Sequence, residues 1–166
     1  MNLKQKEAVF VELIKEHEGL IFKASTIYTD NTQDQKDLFQ EIVYQLWKSF
    51  DSFKNNSKIS TWMYRVAMNT AITQLKKRKR SPIAEPIEKI VIEQIDTNDS
   101  SFEEKLRKVY QHINRLNVLE KGIMLLLLEG KNYEEIGEIS GLTSTNVGTR
   151  INRIKKKLKS QIVKNK

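Results

Sequence analysis

Apolar residues recur along this chain at helical spacing. Between residues 4 and 28, Phe10, Leu13, Ile14, Ile21, Ala24 and Tyr28 fall on one stripe, widened by Val9, Leu20 and Ile27, which predicts helix. Asp30-Asn31-Thr32 interrupts it with turn chemistry. A second helix is predicted from about Asp34 to Phe50. There Leu38, Ile42, Leu46 and Phe50 recur at every fourth position, with Phe39, Val43 and Trp47 beside them. DSFKNNSKIS, residues 51–60, reads as a loop. A third helix is expected to start near Ser60 or Thr61, either of which suits an N-cap, to bury Trp62, Val66 and Ile72, and to end in the KKRKR run.

Both prolines, Pro82 and Pro86, follow immediately, and proline stops a helix and favours extended chain before it. Residues 81–102 are acidic and too poor in apolar positions for a domain, so they read as a linker, within which 87–95 fits either strand or helix. Helical spacing resumes near Phe102 with Leu106, Val109, Tyr110 and Ile113. An apolar helix over Leu116 to Leu128 comes next, and two more lie beyond Asn132. The expected fold is all-α, with two small helical domains, 1–80 and 103–166, joined by the linker 81–102 and without an internal repeat.

Composition narrows the function classes. There is no cysteine, which excludes a disulfide framework and a thiolate metal site and suits a reducing compartment. The N-terminal stretch carries charge throughout and has no apolar core of a secretory signal. The longest apolar run, Ile123 to Leu128, is far short of the ~20 residues that cross a bilayer. A soluble cytoplasmic protein with no membrane insertion is expected. Net charge is +8, but unevenly placed: −3 over residues 1–53, +8 over 54–80, −6 over 81–104 and +9 over 105–166. Two basic blocks separated by an acidic bridge point to a polyanion touched at two places.

The C-terminal block has the more specific pattern. In NYEEIGEISGLTSTNVGTRINRIKKKLK, Asn132 with Glu135 three residues on resembles a capping box, and Ile136 and Ile139 face inward. Gly141 ends that helix, the turn Gly141-Leu142-Thr143 follows, and Thr143 caps a second helix whose inner face is Val147, Ile151, Ile154 and Leu158. Short helix, glycine turn and longer basic helix match a helix-turn-helix. Thr145, Thr149 and Asn152 then point outward, flanked by Ser144, Asn146, Arg150 and Arg153, with donors and acceptors suited to base edges in a major groove. Lys155, Lys156, Lys157 and Lys159 suit phosphate contact, which positions rather than specifies. Gly148 inside this helix costs ~1 kcal/mol relative to alanine, which a close approach to another helix or to DNA would explain.

The other block, KNNSKISTWMYRVAMNTAITQLKKRKR over residues 54–80, holds eight basic residues and no acid. It joins an Asn/Ser-rich loop, aromatics and cations on one helix, which suits unpaired bases held by their backbone. Trp62 is expected to be mainly buried and Tyr64 at least partly exposed. Arg65 and Asn69 stand one helical turn apart.

DLFQEIVYQLWKSFDSF followed by STWMYRVAMNTAI and KKRKR resembles region two of bacterial sigma factors, and NYEEIGEISGLTSTNVGTRINRIKKKLK resembles their region four. With no substantial domain between, the chain resembles the extracytoplasmic-function (ECF) group over roughly residues 8–80 and 105–160. The resemblance implies that Asp37, Leu38, Gln40, Glu41 and Trp47, on the helix matching Asp37 to Lys48, dock on a coiled coil of core RNA polymerase. It implies that Lys54, Asn55, Asn56, Ser57, Lys58, Tyr64, Arg65, Asn69, Lys76, Lys77, Arg78, Lys79 and Arg80 capture the melted minus-ten element, with one base flipped into a pocket. It assigns Ser144, Thr145, Asn146, Thr149, Arg150, Arg153, Lys156 and Lys157 to the duplex minus-thirty-five element, and threads the linker through the polymerase cleft. The implied partners are core polymerase, promoter DNA and, as in many members, an anti-sigma protein, for which no residue here speaks directly. The sequence departs from many relatives at Met68, where they carry Arg, and at Thr73, where they carry Asp.

An enzyme would need a catalytic constellation; the two histidines, His17 and His112, lie on separate predicted helices, HEGLI lacks the second histidine of a zinc protease, and no glycine-rich phosphate loop appears. No metal, cofactor or small-molecule substrate is expected. An ordinary helix-turn-helix regulator explains the C-terminus but not the acid-free block, and an RNA-binding adaptor would bind RNA without polymerase.

Overall fold

The computed structural model describes residues 2–53, 58–80 and 111–164, with side chains through residue 77 in the first unit and 161 in the second. All regular structure among these residues is helical. The chain divides into two compact units, Met1–Pro86 and Ile87–Lys166. The predicted linker 81–102, with the open question of 87–95, lies outside the described residues, as do Lys54, Asn55, Asn56 and Ser57.

Among the described residues the first unit holds four α-helices: α1 (Leu3–Glu16), α2 (Glu18–Ile27), α3 (Thr32–Ser49) and α4 (Ile59–Arg80). The single stripe read over residues 4–28 is two helices. Asn2 opens α1 with a capping box, its side chain accepting from the Gln5 N–H at 2.8 Å while Gln5 Oε1 accepts from the Asn2 N–H at 3.1 Å. His17 ends it, with φ −114° and ψ 18°, outside the helical range. Phe10 on α1 and Ile21 on α2 are both buried. Asn31 caps α3 by accepting from the Asp34 N–H at 2.8 Å. Leu38, Ile42 and Leu46 are then buried as their spacing predicts.

The α4 helix packs on both α2 and α3 and starts at Ile59, one to two residues before the expected caps; Thr61 is buried instead. Its core face also differs from the expected one. Met63, Tyr64, Ala67, Met68 and Ala71 are buried, while Val66 and Ile72 are half-buried. Ala67 and Ala71, one turn apart and fully enclosed, let α4 lie close against its neighbours, and the larger Met and Tyr fill the flanks. Trp62 is buried as expected, but by a separate device. The 3₁₀ turn Phe50–Ser52 and Phe53 place the Phe50 and Phe53 rings 6.4 Å and 5.0 Å from it.

In the second unit, residues 111–114 are helical and are followed by α5 (Val118–Leu128), α6 (Tyr133–Ser140) and α7 (Ser144–Lys164). Asn117 opens α5 through a capping box with Glu120. Gly122, Ile123, Met124, Leu125 and Leu126 are all buried, so this helix is the centre of the unit, packed on α6 and α7. Two glycines with φ 81°, Gly130 and Gly141, terminate α5 and α6 in the left-handed region that only glycine enters cheaply.

Candidate nucleic-acid interface

The predicted helix-turn-helix forms residue for residue from local signals. Asn132 accepts from the Glu135 N–H at 2.8 Å and Glu135 Oε1 accepts from the Asn132 N–H at 3.4 Å, which starts α6. At its other end the N–H groups of Gly141 and Leu142 both donate to the Gly137 carbonyl, at 2.8 and 3.0 Å. A Cβ on Gly137 would lie 2.5 Å from the Leu142 carbonyl oxygen, so this residue must be glycine for the turn to close so tightly. Thr143 Oγ1 accepts from the Asn146 N–H at 3.1 Å and starts α7.

On α7, Val147, Ile151 and Ile154 are fully buried and Leu158 half-buried, the predicted inner face. Ser144, Thr145, Asn146, Thr149, Asn152, Arg153 and Lys156 are exposed, and Arg150 is half-buried. Thr145, Thr149, Asn152 and Lys156 follow one another at helical spacing directly opposite the core. That leaves a polar stripe with short side chains at the start of the helix and cations further along. Arg150 Nε donates to Asn146 Oδ1 at 2.9 Å, so the two flanking residues act as one preset pair. A Cβ on Gly148 would come 3.2 Å from the Tyr133 ring, so the glycine answers a helix-to-helix approach. Lys157 is exposed like its neighbours, and its ammonium also sits 3.0 and 3.3 Å from the carboxylate oxygens of buried Glu120 on α5, which ties the helix to its own unit.

In the first unit the basic face of α4 is assembled opposite its core. Asn69, Lys76 and Lys77 are exposed and Arg65 half-buried, with Arg65, Asn69 and Lys76 on one stripe. Lys58 is exposed at the start of the helix, and the side chains of Arg78, Lys79 and Arg80 lie outside the described ones. Tyr64, expected to reach solvent, is 2% exposed. Its ring falls on the same side as Ala67 and Ala71, and core packing claims it. Met68 is also buried, so this departure from many relatives serves packing; Thr73 donates to the Asn69 carbonyl at 2.8 Å.

The assigned docking helix α3 presents Asp37 and Gln40 to solvent and Glu41 half-buried. Gln33 donates to Asp37 at 3.2 Å and Gln45 to Glu41 at 2.9 Å. Leu38, assigned to the same surface, is in the core at 1% exposure, because it points opposite to that face. Trp47 is half-buried, with Phe10 edge-on at 5.1 Å and the Lys6 ammonium 4.3 Å from its ring centre. Sequence reasoning missed Tyr44, 54% exposed on the same face as Asp37 and Gln40, with Lys48 over its ring at 5.5 Å. Its spacing of seven and four residues from those two is the signal that finds it.

Among the described residues no cluster of three or more His, Asp or Glu side chains could hold a metal ion, and no helix is long and apolar enough to cross a membrane. Both histidines are half-buried.

Comparison with known proteins gives the same two-part division. Residues 13–81 match the Sigma-70 region 2 family and residues 106–158 match Sigma-70, region 4. RNA polymerase sigma factor SigV of Bacillus subtilis is 27% identical over 168 residues, spanning 99% of this chain and 98% of that protein. The ECF RNA polymerase sigma-E factor of Haemophilus influenzae is 30% identical over 162 residues, spanning 90% and 85% respectively. Two solved structures share the fold. The sigma factor RpoE, in complex with the anti-sigma factor NepR from Bartonella quintana, has a TM-score of 0.72 at 19% identity, covering 92% of this chain and 96% of that one. CnrH, in complex with the cytosolic domain of CnrY, has a TM-score of 0.70 at 17% identity, covering 96% and 91%.

Proposed function

The chain belongs to the extracytoplasmic-function group of RNA polymerase sigma factors, and from that we propose that it binds core polymerase and directs initiation at promoters it reads in two places. Helix α7 reads duplex DNA at the minus-thirty-five element. Thr145, Asn146, Thr149 and Arg150 reach base edges, while Ser144, Arg153 and Lys156 hold the backbone. The basic face of α4, with the loop 54–57 before it, captures melted non-template DNA at the minus-ten element. Arg65, Asn69, Lys76 and Lys77 track phosphates there, and one base flips into a protein pocket. The face of α3 carrying Asp37, Gln40 and Glu41 docks on the polymerase coiled coil, an acidic amphipathic helix against a helical hairpin. Residues 1–80 and 103–166 act as the two domains, and the acidic segment 81–102 threads the nucleic-acid path of the enzyme without adhering to DNA. The protein works in the cytoplasm, supplies no catalysis of its own, and is open to control by an anti-sigma protein.

The observation that carries this reading is the placement of an acid-free cationic face on α4 and of the polar stripe on the second helix of the helix-turn-helix, α7, each opposite its own core, in one chain. Neither alone requires polymerase; together they match a protein that holds one promoter at two points. A gel shift with promoter duplex, core polymerase and the chain, singly and combined, tests it. The expected result is weak binding by the chain alone and a stable, heparin-resistant complex only when core is present. Tight operator binding without core would identify an ordinary regulator, and tight RNA binding without core an adaptor.

A further inference from the structure

Burying a large aromatic ring is strongly favourable, yet Tyr44 on α3 is 54% exposed. The helix sets that direction. Leu38, Ile42 and Leu46 are buried and fix the inner face, and Tyr44 lies two residues from each of the last two, so it points away from the core. Its surroundings on that face are polar. By helical spacing Asp37, Glu41 and Lys48 flank the ring on one side, and Gln40 and Trp47 on the other. Asp37, Gln40 and Lys48 are exposed, and Glu41 and Trp47 are half-buried. This rim is held in place. Gln33 donates to Asp37 at 3.2 Å, Gln45 donates to Glu41 at 2.9 Å, and the Lys48 ammonium lies 5.5 Å from the Tyr44 ring centre. A solvent-facing aromatic ring inside a polar rim has the composition of a protein–protein hot spot. On binding the ring is buried and the rim keeps water away from it.

We propose that Tyr44 is the anchor of the face that docks on core polymerase, and that the partner receives its ring in an apolar depression bordered by Arg or Lys. This deepens the docking reading above and rests on it. The ring supplies most of the affinity, because its burial removes apolar area from water at a low cost in side-chain freedom. Asp37 and Glu41, one turn apart beside the ring, meet the basic groups and set orientation and encounter rate. Lys48 is a positioning residue. Over the ring, it restricts Tyr44 before docking and so lowers the ordering cost of the complex.

The test measures the affinity of the whole chain for purified core polymerase, by competition with fluorescently labelled wild type at low and at high salt, beside the melting temperature of each variant. Tyr44→Ala is expected to weaken core binding by about thirty-fold, the level of a hot-spot residue. Its melting temperature should stay within about 3 °C of wild type, because the ring is exposed and alanine suits a helix. Tyr44→Phe should keep the affinity within about three-fold, since the buried ring remains. Lys48→Met should lose about three-fold, the size of an exposed cation–π contact. The salt arm separates the ring from the charges around it: the loss in Tyr44→Ala should be the same at both salts, whereas the loss in Asp37→Asn should shrink at high salt. A loss of less than about five-fold in Tyr44→Ala, below the hot-spot range, overturns the proposal. So does a loss that disappears at high salt, which would make the ring a mere support for Lys48. If Tyr44→Ala melts too low to compare, Tyr44→Gln decides by the same limits. Should wild type itself fail to bind core, the docking reading fails, a result distinct from equal binding by wild type and Tyr44→Ala.

Discussion

The ammonium of Lys157 lies 3.0 Å from a carboxylate oxygen of Glu120, 37 residues earlier in the chain. Glu120 is buried and already shares that carboxylate with its own cap, accepting from the Asn117 N–H at 3.3 Å. Helix α7 is thereby pinned to α5 near the middle of its basic run, and the proposed function implies a division of that run, with Lys157 holding the helix and its neighbours meeting phosphate.

Lys157→Ala is therefore expected to destabilise the second unit by about 1–2 kcal/mol, less than the loss of a fully buried partner because the lysine side chain is 55% exposed. Lys156→Ala should leave the melting temperature unchanged and weaken promoter binding instead. Thermal denaturation beside salt-dependent binding separates them; equal effects on both quantities would contradict the division.

The two glycines of the helix-turn-helix should respond differently to alanine. At Gly137 a Cβ meets backbone, the Leu142 carbonyl oxygen at 2.5 Å, and nothing flexible can yield. Gly137→Ala is expected to lose about 2–3 kcal/mol, in the range of overpacked sites. At Gly148 the nearest atom belongs to the Tyr133 ring at 3.2 Å, which can move, and alanine gains up to ~1 kcal/mol of helix propensity. Gly148→Ala should come out within about 0.5 kcal/mol of wild type by urea denaturation.

Arg150 and Asn146 share a hydrogen bond of 2.9 Å, so their effects on minus-thirty-five recognition should not add. Removing either residue is expected to change which minus-thirty-five sequences are preferred, and the double variant should lose less than the sum by about 1 kcal/mol. Equal losses on all promoter sequences would assign the pair to backbone contact.

On α4, Lys76 and Lys77 are both exposed on the basic side. Replacing the two with alanine should flatten the dependence of log affinity on log salt by roughly 0.7 for each single-strand phosphate that is no longer neutralised. An unchanged slope in holoenzyme titrations would count against a phosphate-binding role there.

Alkaline stability follows from Tyr28. Burial pushes its phenol well above its ordinary value of 10.0. The folded state then keeps a proton that the unfolded chain releases, so this contribution is full below about pH 10 and is lost as pH rises further. The melting temperature of Tyr28→Phe should fall less steeply above pH 10 than that of the wild type, as followed by circular dichroism.

What the sequence revealed and what it hid have a common cause. The helix-turn-helix was legible because its instructions are local: Asn132 with Glu135, Gly141 and Thr143 each act within a few residues. So were the stripe of Leu38, Ile42 and Leu46, and the outward row from Thr145 to Lys156. The buried face of α4 was not, because Ala67, Ala71, Met63 and Met68 carry weak hydrophobic signals while Val66 and Ile72 carry strong ones. Tyr64 was misplaced by the same rotation. The break at His17 lacks the usual stop signals, since the glycine comes two residues later. Lys157 with Glu120 and Lys6 with Asp51 join residues far apart in the chain, and periodicity holds no trace of such pairs.

The most direct test of the whole account is run-off transcription from a pool of genomic promoters, using purified core polymerase with and without this chain. The account predicts transcripts with defined start sites only when both are present, from templates that share one upstream duplex element and one melted element at fixed spacing. Transcripts that are the same with and without the chain would contradict it.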